Sequence, residues 1–201
     1  MVDVIGAVRA ALEDALLERQ AVEERFQVDV FLGDLSWETS YSLPGEGSPP
    51  RVRADVSLDW PTWSQSAYRS WSIGESPEEM PEVVIEIALR IQRLASPVEP
   101  AVVLKALRAD PPSIGGDTLE RLGPTVEQSF EAEDATAGPS RCAIEVGYEG
   151  TFHLSEEALE NPETLDRLFA PLGRWIASTL VRLGDLKLPF LPPEEESLDA
   201  E

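Results

Sequence analysis

The chain of 201 residues carries 38 acidic side chains against 16 basic ones, only two of them lysines, for a formal charge of −22. A charge of that sign repels nucleic acid and anionic membranes, so a charge-driven partner has to be basic. A single cysteine, Cys142, and a single histidine, His153, exclude an internal disulfide and a zinc site of the usual four-ligand kind, leaving only oxygen-ligand metals.

The length suits one domain of above-average size or two small ones sharing an interface, and a chain this long buries roughly 70% of its unfolded surface without staples. Val4, Ile5, Val8, Leu12, Ala15 and Leu16 recur at three- and four-residue steps, which predicts an amphipathic helix from about Val2 to Glu24 covering the apolar side of a sheet. Acids within that periodicity and the lack of a basic leader argue against a signal peptide. No apolar run approaches the roughly 18 residues of a membrane span, so the expectation is a cytoplasmic protein away from membranes.

The period then changes to two. Phe26, Val28, Val30 and Leu32, then Leu35, Trp37, Thr39, Tyr41 and Leu43, then Val52, Ala54, Val56, Leu58 and Trp60 predict three strands. Their alternate positions, Ser36, Glu38, Ser40, Ser42 and Arg51, Arg53, Asp55, Ser57, Asp59, are polar, so one face of this sheet meets water. Residues 65–73, rich in Ser, Tyr and Trp, are expected to add a fourth strand and complete a meander.

Ser76-Pro77-Glu78-Glu79 carries a capping residue, a proline at the first helical position and acids in the first turn, which with Val83, Val84, Ile87, Ile91 and Leu94 predicts a helix over 77–95. A shorter helix is expected over Val98–Ala109, and the cluster from Pro111 to Gly116 marks the best break between halves. A turn of helix at 118–122 is followed by alternation at Val126, Gln128, Phe130 and Ala132, and again from Cys142 to Leu154, which predicts a strand pair joined by 134–140. Ser155 caps a short helix, Asn161-Pro162-Glu163 opens a long one to Leu183, and residues 192–201 read as a disordered acidic tail.

Hairpin-linked strands beside segregated helices make the expected class α+β: an antiparallel meander and a later strand pair packed against three or four helices. The expected organisation is 1–110, then 111–191 packed into the same globular unit, then the tail.

Candidate sites are few. Trp60, Trp63, Tyr68 and Trp71, with Trp37 and Tyr41, form the densest aromatic cluster. Trp37, Tyr41 and Trp60 fall in register with the core, which leaves Trp63, Tyr68 and Trp71 as partner-binding candidates. Arg51 and Arg53, on a polar strand face, and Arg69 carry guanidinium forks suited to a carboxylate or phosphate, although pairing with Glu38, Asp55 or Asp59 would occupy them equally well. His153 shares a face with Glu145 and Glu149, as a general base would, but Cys142 points the other way and no G-x-S-x-G is present. The acidic runs lack calcium-loop spacing, and Gly115-Gly116 lacks the lysine of a phosphate loop.

No cofactor, metal or catalytic residue is therefore assigned, and enzymatic activity is the less favoured class. The leading expectation is a non-catalytic acidic binding module, an adaptor, specialised chaperone or immunity-like inhibitor, whose partner is a protein with a basic surface; homodimerisation is left open. The alternatives are a small-molecule binder or enzyme with a pocket between sheet and helices, and a nucleic-acid mimic. Phosphate-like mimicry wants carboxylates about 7 Å apart on alternate strand positions, and these strand faces are broken by serines, Arg51 and Arg53.

Overall fold

The computed structural model describes residues 10, 14, 22–31, 34–107, 110–130 and 141–193. Strands β1 (Val22–Phe31), β2 (Asp34–Ser42), β3 (Val52–Trp60), β4 (Glu82–Leu94), β5 (Glu120–Arg121), β6 (Thr125–Ser129) and β7 (Arg141–His153) form one sheet in the order β1-β2-β3-β4-β7-β5, with β6 also on β7. Every pairing is antiparallel. Helices α1 (Thr62–Ser72), α2 (Pro100–Ala106), α3 (Glu156–Glu160) and α4 (Pro162–Gly184) complete an α+β fold. Strands from both sides of the Pro111–Gly116 cluster meet where β4 pairs with β7.

The core lies where period-two alternation aims it. Val52, Ala54, Val56, Leu58 and Trp60 of β3, Val83, Ile85, Ile87, Leu89 and Ile91 of β4, and Ile144, Val146, Tyr148 and Phe152 of β7 are buried on one face. Helix α4 supplies the opposing layer through Leu165, Phe169, Leu172, Trp175, Ile176, Leu180 and Leu183. Tyr148 meets Trp175 and Phe152 meets Phe169 edge to face, each with centroids 5.2 Å apart. Each such side chain contributes about 1.5–3 kcal/mol relative to exposure. Trp37, Tyr41 and Trp60 are core residues, as their register required.

The helix starts follow local chemistry. The Ser155 hydroxyl accepts from the Ala158 amide, and Asn161 Oδ1 accepts from the Glu163 amide with Pro162 at the first position of α4. These caps satisfy amides that a helix start leaves without internal partners.

Three expectations are corrected. The fourth strand of the meander is Glu82–Leu94, not residues 65–73. The stretch read as a helix over 77–95 is thus β4: its Val, Ile and Leu residues at 83, 85, 87, 89 and 91 are buried at period two, and the apolar Val84 and Ala88 on its other face mimicked a helical stripe. Residues 65–72 belong to α1 and Ile73 caps it; its fully buried residues are polar, Ser64 and Gln65, with Tyr68 half-buried beside them. The Ser64 hydroxyl donates to Glu82 O and accepts from Glu82 N, both at 2.7 Å, and Gln65 Nε2 donates to Trp60 O at 2.9 Å. Hydrogen bonds at Ser64 and Gln65 thus take over much of the stripe by which such a helix is recognised, leaving Tyr68 as its apolar contact with the core. The turn at 118–122 is the short strand β5.

The helix expected over 2–24 falls almost wholly outside the described residues, and its last three positions begin β1. Among the described residues it is α4 that covers the apolar face. The joining residues 134–140 and, of the tail expected over 192–201, the residues from Glu194 on also lie outside the described residues; Pro192 and Pro193 do not belong to a free tail, since Pro193 packs beside Gly47.

Candidate functional site

The second face of the sheet is polar and concave. Register places its residues in rows across the strands. One row reads Glu38, Ser57, Glu86, Glu149, Glu120; the next reads Ser40, Asp55, Ala88, Gly147; the third reads Ser42, Arg53, Arg90, Glu145, Thr125. Small residues in the middle rows leave an open trough of about 960 Å³, floored near Ser40, Ser57, Ala88 and Gly147 and walled by Glu38, Asp55, Asp59, Glu86, Glu145 and Glu149. Leu122 laps over one flank, because an added Cβ at Gly147 would lie 3.0 Å from its Cδ1.

The two ends of the trough differ in electrostatics. At one end the arginines are already satisfied. Arg53 holds Asp55 through Nε and a terminal nitrogen, both at 2.9 Å, and Asp55 also accepts from the Ser40 hydroxyl. Arg90 grips both carboxylate oxygens of Glu127 and reaches Glu145 at 3.2 Å. That grip holds the Glu127 carboxyl below, and the Arg90 guanidinium above, its ordinary range.

At the other end carboxylates face carboxylates. Glu86 lies directly opposite Glu149, which lies directly opposite Glu120. Burial first, then the charges of Asp59, Glu149 and Glu38, push the Glu86 carboxyl above its ordinary value. Like charges directly across a ladder destabilise a sheet. Among the described residues, Arg53 is the only basic side chain lining the trough, and Asp55 engages it.

The other sequence candidates are not gathered here. Trp63, Tyr68 and Trp71 lie on α1. Trp63 is 42% exposed, whereas Tyr68 and Trp71 are half-buried, Tyr68 standing edge-on to Trp60 at 5.7 Å and 5.9 Å from Trp71. Arg51 pairs with buried Glu46 at 3.1 Å and stacks over the Phe190 ring at 5.2 Å. His153 is exposed and faces Asp117 through Nδ1 at 3.1 Å and Glu82 through Nε2 at 3.4 Å rather than Glu145 or Glu149. Cys142 is buried on the apolar face, and burial raises its thiol pKa, the opposite of what a nucleophile needs.

The row Glu38–Glu86–Glu149–Glu120 went unread in the sequence because Glu86 was assigned to a helix. The signal was the polar alternation of Glu82, Glu86, Arg90 and Gln92. Among the described residues no cluster of His, Cys, Asp and Glu is arranged to hold a metal, and no helix is long and apolar enough to cross a membrane. Comparison with protein-family models, curated sequences and solved structures finds no match.

Proposed function

We propose that the protein is a non-catalytic binding module that receives a basic segment of a partner protein in the acidic trough. The observation that carries this reading is the row of carboxylates from adjacent strands, placed against one another at a cost to the sheet. Cationic side chains laid across the row would remove that cost and form charge-assisted hydrogen bonds, which are about twice as strong as neutral ones. The carboxylates of one strand face, such as Glu145 and Glu149, stand four residues apart, roughly 13 Å in an extended chain. That spacing is unlike the alternate-residue pattern a nucleic-acid mimic wants. Trp63, exposed on α1, offers a separate apolar contact for the same partner.

The test is fluorescence anisotropy with a labelled oligolysine peptide and an oligoglutamate of the same length. Oligolysine is expected to bind, oligoglutamate and duplex DNA are not, and Glu86→Gln with Glu149→Gln should weaken oligolysine about tenfold, as loss of about 1.4 kcal/mol would. Equal binding by the double variant would remove the trough as the site.

A further inference from the structure

We propose that residues 188–193 form a strap whose docking, through Arg93, sets the rim of the trough. Arg93 sits at the register shift between β4 and β7, is 7% exposed, and has left-handed backbone at φ 59°, a conformation few arginines adopt. The shift turns its guanidinium into a cage of carbonyl oxygens drawn from two segments remote in sequence. It donates to Leu191 O at 2.7 and 3.2 Å, to Glu46 O at 2.7 Å and to Pro49 O at 2.8 Å. The strap lies along the end of β4 as an added strand: the Leu191 amide donates to Arg93 O and the Ala95 amide to Pro189 O, each at 2.7 Å.

Further contacts tie strap to loop. Phe190 lies beneath the Arg51 guanidinium, which pairs with Glu46, and Glu46 Oε2 accepts from the Val52 amide at 2.9 Å. Pro193 occupies the space beside Gly47, where an added Cβ would meet it at 2.5 Å. Ser48, in the same loop, borders the trough. Strap, Arg93 and loop 44–50 thus form one closed ring of contacts, and releasing any member loosens the rim. Linkage makes the coupling reciprocal: a cation in the trough favours the docked strap. The effect on binding rests on the trough reading, but the coupling itself does not.

Hydrogen exchange of the free full-length protein, read by mass spectrometry, tests the coupling without any ligand. Arg93→Gln is expected to speed exchange at least tenfold in both 44–52 and 188–193, with α1 and the centre of β7 unchanged. Phe190→Ala leaves Arg93 in place and removes the ring beneath Arg51; it should speed exchange in 188–193 and, through the ring of contacts, in 44–52 as well. Unchanged exchange in 44–52 for Phe190→Ala, or acceleration spread evenly over the chain in both variants, would overturn the proposal. Phe190→Ala should also weaken oligolysine about fivefold, and coupled exchange with unchanged affinity would overturn the strap's role in binding. Failure of the wild type to bind oligolysine would instead strike the trough reading and leave the exchange result standing.

Discussion

Replacing Glu86 by Gln should make the protein more stable and a poorer binder at once. In the folded chain partial burial does most to raise the Glu86 pKa, and the charges of Asp59, of Glu149 directly opposite and of Glu38 add to it. A like-charged cross-strand pair costs about 0.2–1 kcal/mol. Because Glu86 keeps much of its contact with water despite the partial burial that raises its pKa, screening limits the total, and removing its charge should gain about 0.5–1 kcal/mol at low salt. For a chain of this size that is a rise in Tm of about 1–4 °C. The sign follows from linkage. A carboxyl whose folded pKa is raised holds its proton more tightly when folded, so it costs no stability below the ordinary value of 4.5 and costs progressively more as pH rises through the folded value. The gain from Gln should therefore be larger at pH 7 than at pH 5 and vanish toward pH 4. Thermal melts at these pH values, in 20 mM and 1 M NaCl, check it: at 1 M the Debye length is about 3 Å, so the part of the gain due to the neighbouring carboxylates should disappear while the part due to burial persists. A destabilised variant, or a gain indifferent to both salt and pH, would refute the charge-row reasoning.

Other substitutions probe the fold and the partner surface. Ser64→Ala strands the Glu82 amide and carbonyl beneath α1 and should cost about 1–3 kcal/mol by urea denaturation. Gly150→Ala places a Cβ 2.7 Å from Thr118 O, a backbone atom that cannot swing aside, and should cost about 1–3 kcal/mol and loosen β5 in hydrogen exchange. Trp63→Ala, at an exposed position, should leave stability within about 1 kcal/mol; weaker capture of a protein partner with unchanged oligolysine affinity would mark it as a second contact. Association of a basic partner should slow steeply between about 50 and 500 mM salt, measured by stopped flow.

Strands β2, β3 and β7 and helix α4 were legible because one face of each is apolar and the other polar, which fixes both period and orientation. β4 was not, because it carries apolar residues at Val84 and Ala88 on its outer face and follows Ser76-Pro77, a pair that opens helices elsewhere. Its β-branched run, Val83-Val84-Ile85, was the better guide. Helix α1 was hidden for the opposite reason, since Ser64 and Gln65 hold it by hydrogen bonds to backbone. The polar face of the sheet was foreseen on β2 and β3, where Arg53 and Asp55 lie. Its most acidic row was not, since that row exists only once β4 is set between β3 and β7. The buried cage of Arg93 depends on loop 44–50 and residues 189–191 meeting, a contact between segments far apart in the chain that no local pattern encodes.

The trough is tested most directly by a two-dimensional amide NMR titration of the isotope-labelled protein with oligolysine at low salt. Shifts are expected to concentrate at Glu38, Ser57, Glu86, Gly147 and Glu149, to saturate together, and to collapse in the Glu86→Gln, Glu149→Gln double variant. Shifts centred on the acidic starts of α3 and α4, or spread over every acidic surface without saturation, would contradict the assignment of the sheet face as the binding site.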